Sequence, residues 1–171
     1  MEDISVRFSL LRGREDSQLT KSYCLDQNGS IRKVSTPRFT GGTAETVSIT
    51  KLSDIESTIN DLKSTECIAT GIFDQSPCEI VTAEQLDEAG LNTGLRSRTK
   101  EHMKQPDVGI ALLDHDISPD MPDHLRCDSP GALMSRLQDA VPGLEYAAYS
   151  GSGSCSRGIY NSATGEPYPG G

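Results

Sequence analysis

Tryptophan is absent and aromatic residues make up only 5% of the chain, so little material exists for the stacking platforms on which many single-strand binders lay bases. No stretch approaches the ~20 consecutive apolar residues of a membrane span. The first residues, MEDISVRFSLLRGRED, lack the basic segment followed by an apolar one that marks an export signal. Cysteine is scarce and scattered. Cys24, Cys67, Cys78, Cys127 and Cys155 are odd in number and never form C-x-x-C, so neither a disulfide framework nor a zinc knuckle is written here. Reduced thiols in a cytoplasmic setting fit this pattern. Positive charge is also thin: 16 Lys and Arg face 25 Asp and Glu, for a formal charge of −9. A chain with this balance repels polyanions, which argues against a general DNA-coating role. One local basic or metal-bearing site stays compatible with it, because a bound cation can dominate the charge its surroundings present.

What is present suffices for a core: 171 residues, 35% of them hydrophobic, are enough for one well-packed domain. Ile4, Val6, Phe8 and Leu10 alternate with polar residues and predict a half-buried strand. Tyr23 and Leu25, the turn signal Asn28-Gly29 and then Ile31 predict a hairpin, and Gly41-Gly42 separates it from Val47 and Ile49. From Ser53 the period becomes helical through Ile55, Ile59 and Leu62, with Ser53 and Glu56 in a capping-box pattern, predicting a helix over 53–64. CIATGIF at 67–73 and EIV at 79–81 read as short strands. Thr82 with Gln85 offers a second capping box for a helix that stops near Gly90.

Residues 91–107 form a polar connector carrying Arg96, Arg98, Lys100 and Lys104, the densest basic cluster in the chain. After it, VGIALL at 108–113 reads as a central strand buried on both faces, ending in Asp114-His115-Asp116. Ser129 as N-cap and Pro130 at the first helical position begin a helix with Leu133, Leu137 and Val141 on one stripe. EYAAYS at 145–150 reads as a strand, which would complete a β-α-β unit. Residues 151–171 are rich in Ser and Gly. The expected fold class is α+β, a mixed sheet with flanking helices, with an α/β domain over 1–150 and a Ser/Gly-rich segment over 151–171.

Two aspartates spaced two apart on a strand share one side of it, a geometry that can hold a hard divalent cation such as Mg²⁺ or Mn²⁺ with room for water and phosphate oxygens. Asp114 and Asp116 have that spacing; strand-end aspartates also serve as turn formers and caps. The basic connector is either a solvated surface stretch or a phosphate contact, and Lys21 beside the hairpin has the same two readings. The Ser/Gly tail is either a linker or a phosphate cradle, and it matches neither of the common glycine-rich phosphate loops. His102, His115 and His124 lack zinc-site spacing, and no serine sits in a G-x-S-x-G elbow.

The succession LTKSYCLDQNG, CIATGIF, RTKEHMKQPDVGIALLDHDISP and SCSRGIYNSATGEPYPGG resembles the primase-polymerase region of archaeo-eukaryotic-type primases carried by plasmids, phages and integrated elements. Its best markers are Asp114-x-Asp116 and the run Ser154, Ser156, Gly158, Ile159, Tyr160 followed by Thr164-Gly165-Glu166. The resemblance implies an RRM-like core, C-terminally incomplete. It implies Asp114 and Asp116 as catalytic ligands of Mg²⁺ or Mn²⁺, Ser154, Ser156 and Arg157 as nucleotide contacts, and nucleotide triphosphate and DNA as partners. Family members continue past a turn like Gly170-Gly171 into a strand with a catalytic His and a further acidic ligand. The expectation is therefore the N-terminal portion of a mobile-element replication protein with little or no polymerase activity alone. Two other classes compete. One is a non-catalytic acidic module binding a protein partner. The other is a haloacid-dehalogenase-type phosphohydrolase, whose first Asp stands near the chain start, whereas about 110 residues precede Asp114 here.

Overall fold

The computed structural model of the chain describes residues 5–15, 17, 19, 23–34, 39–90, 94–113, 120–127 and 129–149. The chain divides into two compact units, Met1–Ala111 and Leu112–Gly171. The described part is α+β, and its largest sheet is antiparallel throughout.

The first unit is organised around β1 (Val6–Gly13), the strand foreseen from the alternation at 4–10. A short hairpin, β2 (Tyr23–Leu25) and β3 (Ile31–Lys33), follows it. Leu25 pairs with Ile31 there, and Gly29 at φ 77° supplies the left-handed turn residue that Asn28-Gly29 signalled. β4 (Gly41–Ile49) runs antiparallel to the whole of β1, from Val6↔Ile49 to Gly13↔Gly42. α1 (Leu52–Asn60), β5 (Glu66–Ala69), β6 (Ile72–Phe73), β7 (Cys78–Val81), α2 (Ala83–Ala89) and β8 (Met103–Lys104) complete the unit. The sheet order is β5-β1-β4-β7, and β6 pairs separately with β8.

Successive side chains of a strand point to opposite faces, and β1 as an interior strand buries both. Leu11 joins Ala44, Phe73, Cys78 and Ile80 in the core, with Phe39, Cys67, Ala69 and Met103 packed against them. Phe8, of the other parity, is fully buried on the opposite face. Gly41-Gly42, expected to separate elements, instead begins β4. A Cβ on Gly42 would lie 1.9 Å from the Arg12 carbonyl oxygen, so only glycine permits this close strand approach.

Three helical predictions hold in part or in full. α2 carries the complete capping box: the Thr82 hydroxyl accepts from Gln85 N at 3.2 Å, and the Gln85 side chain accepts from Thr82 N at 3.1 Å. α1 starts at Leu52 rather than Ser53 and ends four residues before 64. Lys51 occupies its N-cap without a side-chain bond, so the Ser53/Glu56 box does not form. In the second unit, α3 (Pro130–Ala140) begins as expected, with the Ser129 hydroxyl accepting from Ala132 N at 3.2 Å and Pro130 in the first turn. Met134 of α3 and Cys127 before it are buried.

Two expected strands are absent. VGIALL at 108–113 is neither a strand nor buried: Val108 is 43% exposed, Leu112 84% and Leu113 53%. β5 already occupies one side of β1 over Ser9–Arg12, and this segment adds only a bond from Arg7 N to the Val108 carbonyl at 3.2 Å. Without a partner ladder, an apolar run has no place for its backbone groups in a sheet. The described residues of 145–150 form no strand either. Their backbone bonds close locally in a 3-10 turn at Leu144–Tyr146, after Gly143 at φ 93°, with Tyr146 N on Gly143 O and Ala147 N on Leu144 O. No β-α-β unit therefore forms among the described residues; the named strands of the sheet pair antiparallel, and one isolated parallel bridge, Ile80↔Arg96, lies beside β7.

The buried face of β1 carries one polar group out of keeping with it: Ser9 is fully buried and its hydroxyl has no hydrogen-bond partner among the described residues. An unsatisfied buried hydroxyl costs about 1–3 kcal/mol, and truncating a core leucine costs about 2–5 kcal/mol. Ser9→Ala is expected to hold or raise the urea midpoint, whereas Leu11→Ala lowers stability by about 2–5 kcal/mol, as read by circular dichroism.

Glu66 ties β5 to its neighbours. Its carboxylate accepts from Lys63 N at 3.0 Å and from Arg12 Nε at 3.2 Å, and these contacts, the backbone bond first, hold its pKa below the ordinary value. A depressed folded-state pKa gives stability that is complete at neutral pH and is lost as pH falls through the carboxylate range. Glu66→Gln is expected to flatten the acid limb of the melting profile while leaving the profile above pH 7 parallel to wild type.

Candidate functional site

Asp114, His115 and Asp116, and Ser154, Ser156 and Arg157, lie outside the described residues. What the structure describes is the approach to the aspartate pair and the basic connector before it. Among the described residues no three His, Cys, Asp or Glu side chains cluster as a metal could use. No described helix is long and apolar enough to cross a membrane. Cys24, Cys67, Cys78 and Cys127 are free thiols.

The connector is not a loose surface loop. Arg96 forms an isolated parallel bridge with Ile80: Val81 N donates to Arg96 O and Arg96 N donates to Glu79 O, each at 2.9 Å. Ser97 follows, 1% exposed, its hydroxyl 3.2 Å from that of Thr99 and 3.4 Å from His102 Nδ1. A tight turn brings His102 N and Met103 N onto the Thr99 carbonyl, and β8 then pairs with β6. His102 O accepts from Asp74 N at 2.9 Å, which stitches the turn to the β6–β7 loop.

This folding sorts the four cations that the sequence presents as one cluster. The Arg96 guanidinium is engaged internally, with Nε 2.7 Å from Asp74 Oδ1, Nη2 on Gln75 Oε1 and Nη1 on the Leu95 carbonyl, both at 3.0 Å. Arg98 has no ion pair or hydrogen bond among the described residues. Its guanidinium carbon stands 5.7 Å from the Phe39 ring centre, within cation–π range. Lys100 and Lys104 are exposed and likewise lack an ion pair among the described residues. Glu101 is the one acid between Arg96 and Lys104, and its carboxyl is held below the ordinary value chiefly by the Thr99 hydroxyl and its own backbone N–H.

Two shallow surface depressions share Arg98 in their linings. The larger, about 480 Å³, lies between residues 68–71 on one side and Arg98, Met103 and Gln105 on the other. Gly71 makes its floor possible, since a Cβ there would come within 2.9 Å of Met103 Cγ and 3.1 Å of Lys104 O. The smaller, about 230 Å³, is lined by Phe39, residues 80–83 and residues 97–99. Sequence reasoning singled out the four cations but could not separate Arg96 from Arg98. It missed the roles of Phe39 and Gly71, whose only sequence signals are an aromatic two residues after Pro37 and a glycine within the apolar run CIATGIF.

No family model, curated protein or solved structure matches the chain.

Burial raises the thiol pKa values of Cys67 and Cys78, with Arg98 pulling the first back down and Arg96 the second. At pH 8, exposed Cys24 is therefore expected to alkylate well before Cys67 or Cys78, since the thiolate is the nucleophile. Arg98→Gln is expected to slow Cys67 modification further, as peptide mass spectrometry of iodoacetamide-treated protein would read.

Proposed function

We propose that the chain is the N-terminal portion of a mobile-element DNA primase/polymerase, a nucleotidyltransferase of the primase-polymerase type acting in the cytoplasm. Asp114 and Asp116 are its divalent-metal ligands. The observation that carries this reading is the paired sequence signal, Asp114-x-Asp116 after an apolar run and Ser154-x-Ser156 before Gly158-Ile159-Tyr160, in an α+β chain. Two carboxylates form a hard-oxygen donor set suited to Mg²⁺ or Mn²⁺. When bound, such ions neutralise the charge that develops on a transferring phosphoryl group. Ser154, Ser156 and Arg157 contribute hydroxyl and guanidinium donors suited to phosphate or template oxygens. A single two-carboxylate motif without a third acid binds metal weakly, so the chain alone incorporates little or no nucleotide.

A second reading has its own support. Exposure of Val108, Leu112 and Leu113 and the net charge of −9 favour an acidic module that engages a protein partner, with Asp114 and Asp116 serving as turn formers. Metal affinity separates the two. Calorimetry is expected to show Mn²⁺ binding in the millimolar range that Asp114→Ala abolishes, and a primer-extension assay with Mn²⁺ to show no robust synthesis. Unchanged Mn²⁺ binding in Asp114→Ala would transfer support to the partner-binding module.

A further inference from the structure

The Asn28-Gly29 pair that signals the first hairpin turn carries a second chemistry, which the proposed function leaves unused. A backbone amide that follows an asparagine can attack the side-chain carboxamide, most readily when it belongs to glycine, which has no side chain to shield that nitrogen. Both partners stand at the open tip of the β2–β3 hairpin. Asn28 is exposed, Gly29 is at φ 77°, and a Cβ placed on Gly29 would meet no described atom within 4 Å beyond its chain neighbours. Water reaches this tip freely.

Asp26 is the residue that holds the tip closed. Its Oδ1 accepts from Asn28 N at 2.8 Å and from Ser30 N at 2.9 Å, the local closure typical of an aspartate in a turn. Its backbone N donates to Ser30 O at 2.9 Å, and its carbonyl accepts from Gly29 N at 3.0 Å. The amide that would act as nucleophile is therefore already donating to Asp26. Few other contacts secure the hairpin among the described residues: each strand has three residues, the pair is a sheet of its own, and Leu25 is 61% exposed. A two-stranded hairpin of that size is marginal in water, so it opens locally more often than the four-stranded sheet around β1.

We propose that Asn28 is a site of spontaneous deamidation, with water as co-reactant, and that Asp26 governs its rate by keeping the Gly29 amide engaged while the hairpin is closed. In the open hairpin the Gly29 nitrogen attacks Asn28 Cγ. The new N–Cγ bond displaces Nδ2, which leaves as ammonia with the proton that the Gly29 amide gives up. Water then adds to either carbonyl of the succinimide, and ring opening yields aspartate or isoaspartate according to which C–N bond breaks. No oxidant or reductant takes part. Either product puts a new negative charge in the turn beside Asp26, and isoaspartate also lengthens the backbone by a methylene, which spoils the Leu25↔Ile31 register. The change runs one way, so the hairpin keeps a record of the time it has spent open. It involves neither Asp114 nor Asp116 and stands whether or not that pair binds metal.

The test incubates the full chain at mildly alkaline pH, native and in guanidinium chloride, and follows the tryptic peptide over 22–32 by mass spectrometry, with enzymatic methylation marking isoaspartate. The mass gain of amide-to-acid conversion is expected at Asn28 in both states, and several-fold more slowly in the native chain. Native Asp26→Ala is expected to approach the unfolded rate. Asp26→Asn, whose side-chain carbonyl can accept the same two bonds, stays near wild type. Asn28→Ser shows no mass gain in this peptide, which fixes the site. Circular dichroism checks that each variant keeps the main sheet. Should Asp26→Ala lose it, hydrogen exchange of the wild-type Gly29 amide takes its place, with protection by the bond to Asp26 as the expected result. No conversion of Asn28 in the unfolded chain would overturn the site. Equal native and unfolded rates, an Asp26→Ala rate equal to wild type, or an unprotected Gly29 amide would overturn the role of Asp26.

Discussion

The backbone ladder of β1 is the constraint on which the first unit depends. Its eight residues pair along their full length with β4 and over Ser9–Arg12 with β5, so the strand is interior from the moment the sheet exists. Interior position forces Phe8 and Leu11 out of water on opposite faces and takes Ser9 with them. It also dictates the glycine at 42, where β1 and β4 approach too closely for any side chain. The core around Leu11, Ala44, Phe73 and Ile80 is the consequence of that ladder, since every member sits on the central pair of strands or on the short strands that fold against them. The connector after α2 is held by the same sheet: Arg96 bonds along β7 and so sets where Arg98 stands.

Local chemistry was legible where it acts within a few residues. The alternation of β1, the Asn28-Gly29 turn, the Thr82/Gln85 box and the Ser129-Pro130 helix start are each encoded by side chains that act on neighbouring backbone, and each forms. Legibility ended where a segment needs a distant partner. VGIALL has the composition of a buried strand, yet composition says nothing of whether an edge is free to receive it, and β5 holds part of that edge. EYAAYS failed for a related reason: the backbone of its described residues closes on Gly143 and Leu144 rather than on another strand. The Ser53/Glu56 box lost to a start one residue earlier, where Leu52 already lies in the helix.

The same distinction governs function. A count of basic residues treats Arg96 and Arg98 alike, but one is committed to Asp74 and Gln75 while the other rests on a ring. Which charge a ligand meets is therefore a property of folding and not of composition. The carboxylate pair at 114 and 116 carries the catalytic proposal on donor chemistry and sequence order.

The placement of β1 has a consequence for how the protein comes into being. Among the described strands the earliest in the chain is the one that ends up in the middle, and its neighbour on one side, Ala69, is made sixty residues after its register mate Ser9. At translation speeds of about 5–20 residues per second that is a wait of roughly 3–12 seconds. Throughout it, Phe8 and Leu11 have no β5 beside them, so the nascent chain must shelter both side chains before the sheet can close around them.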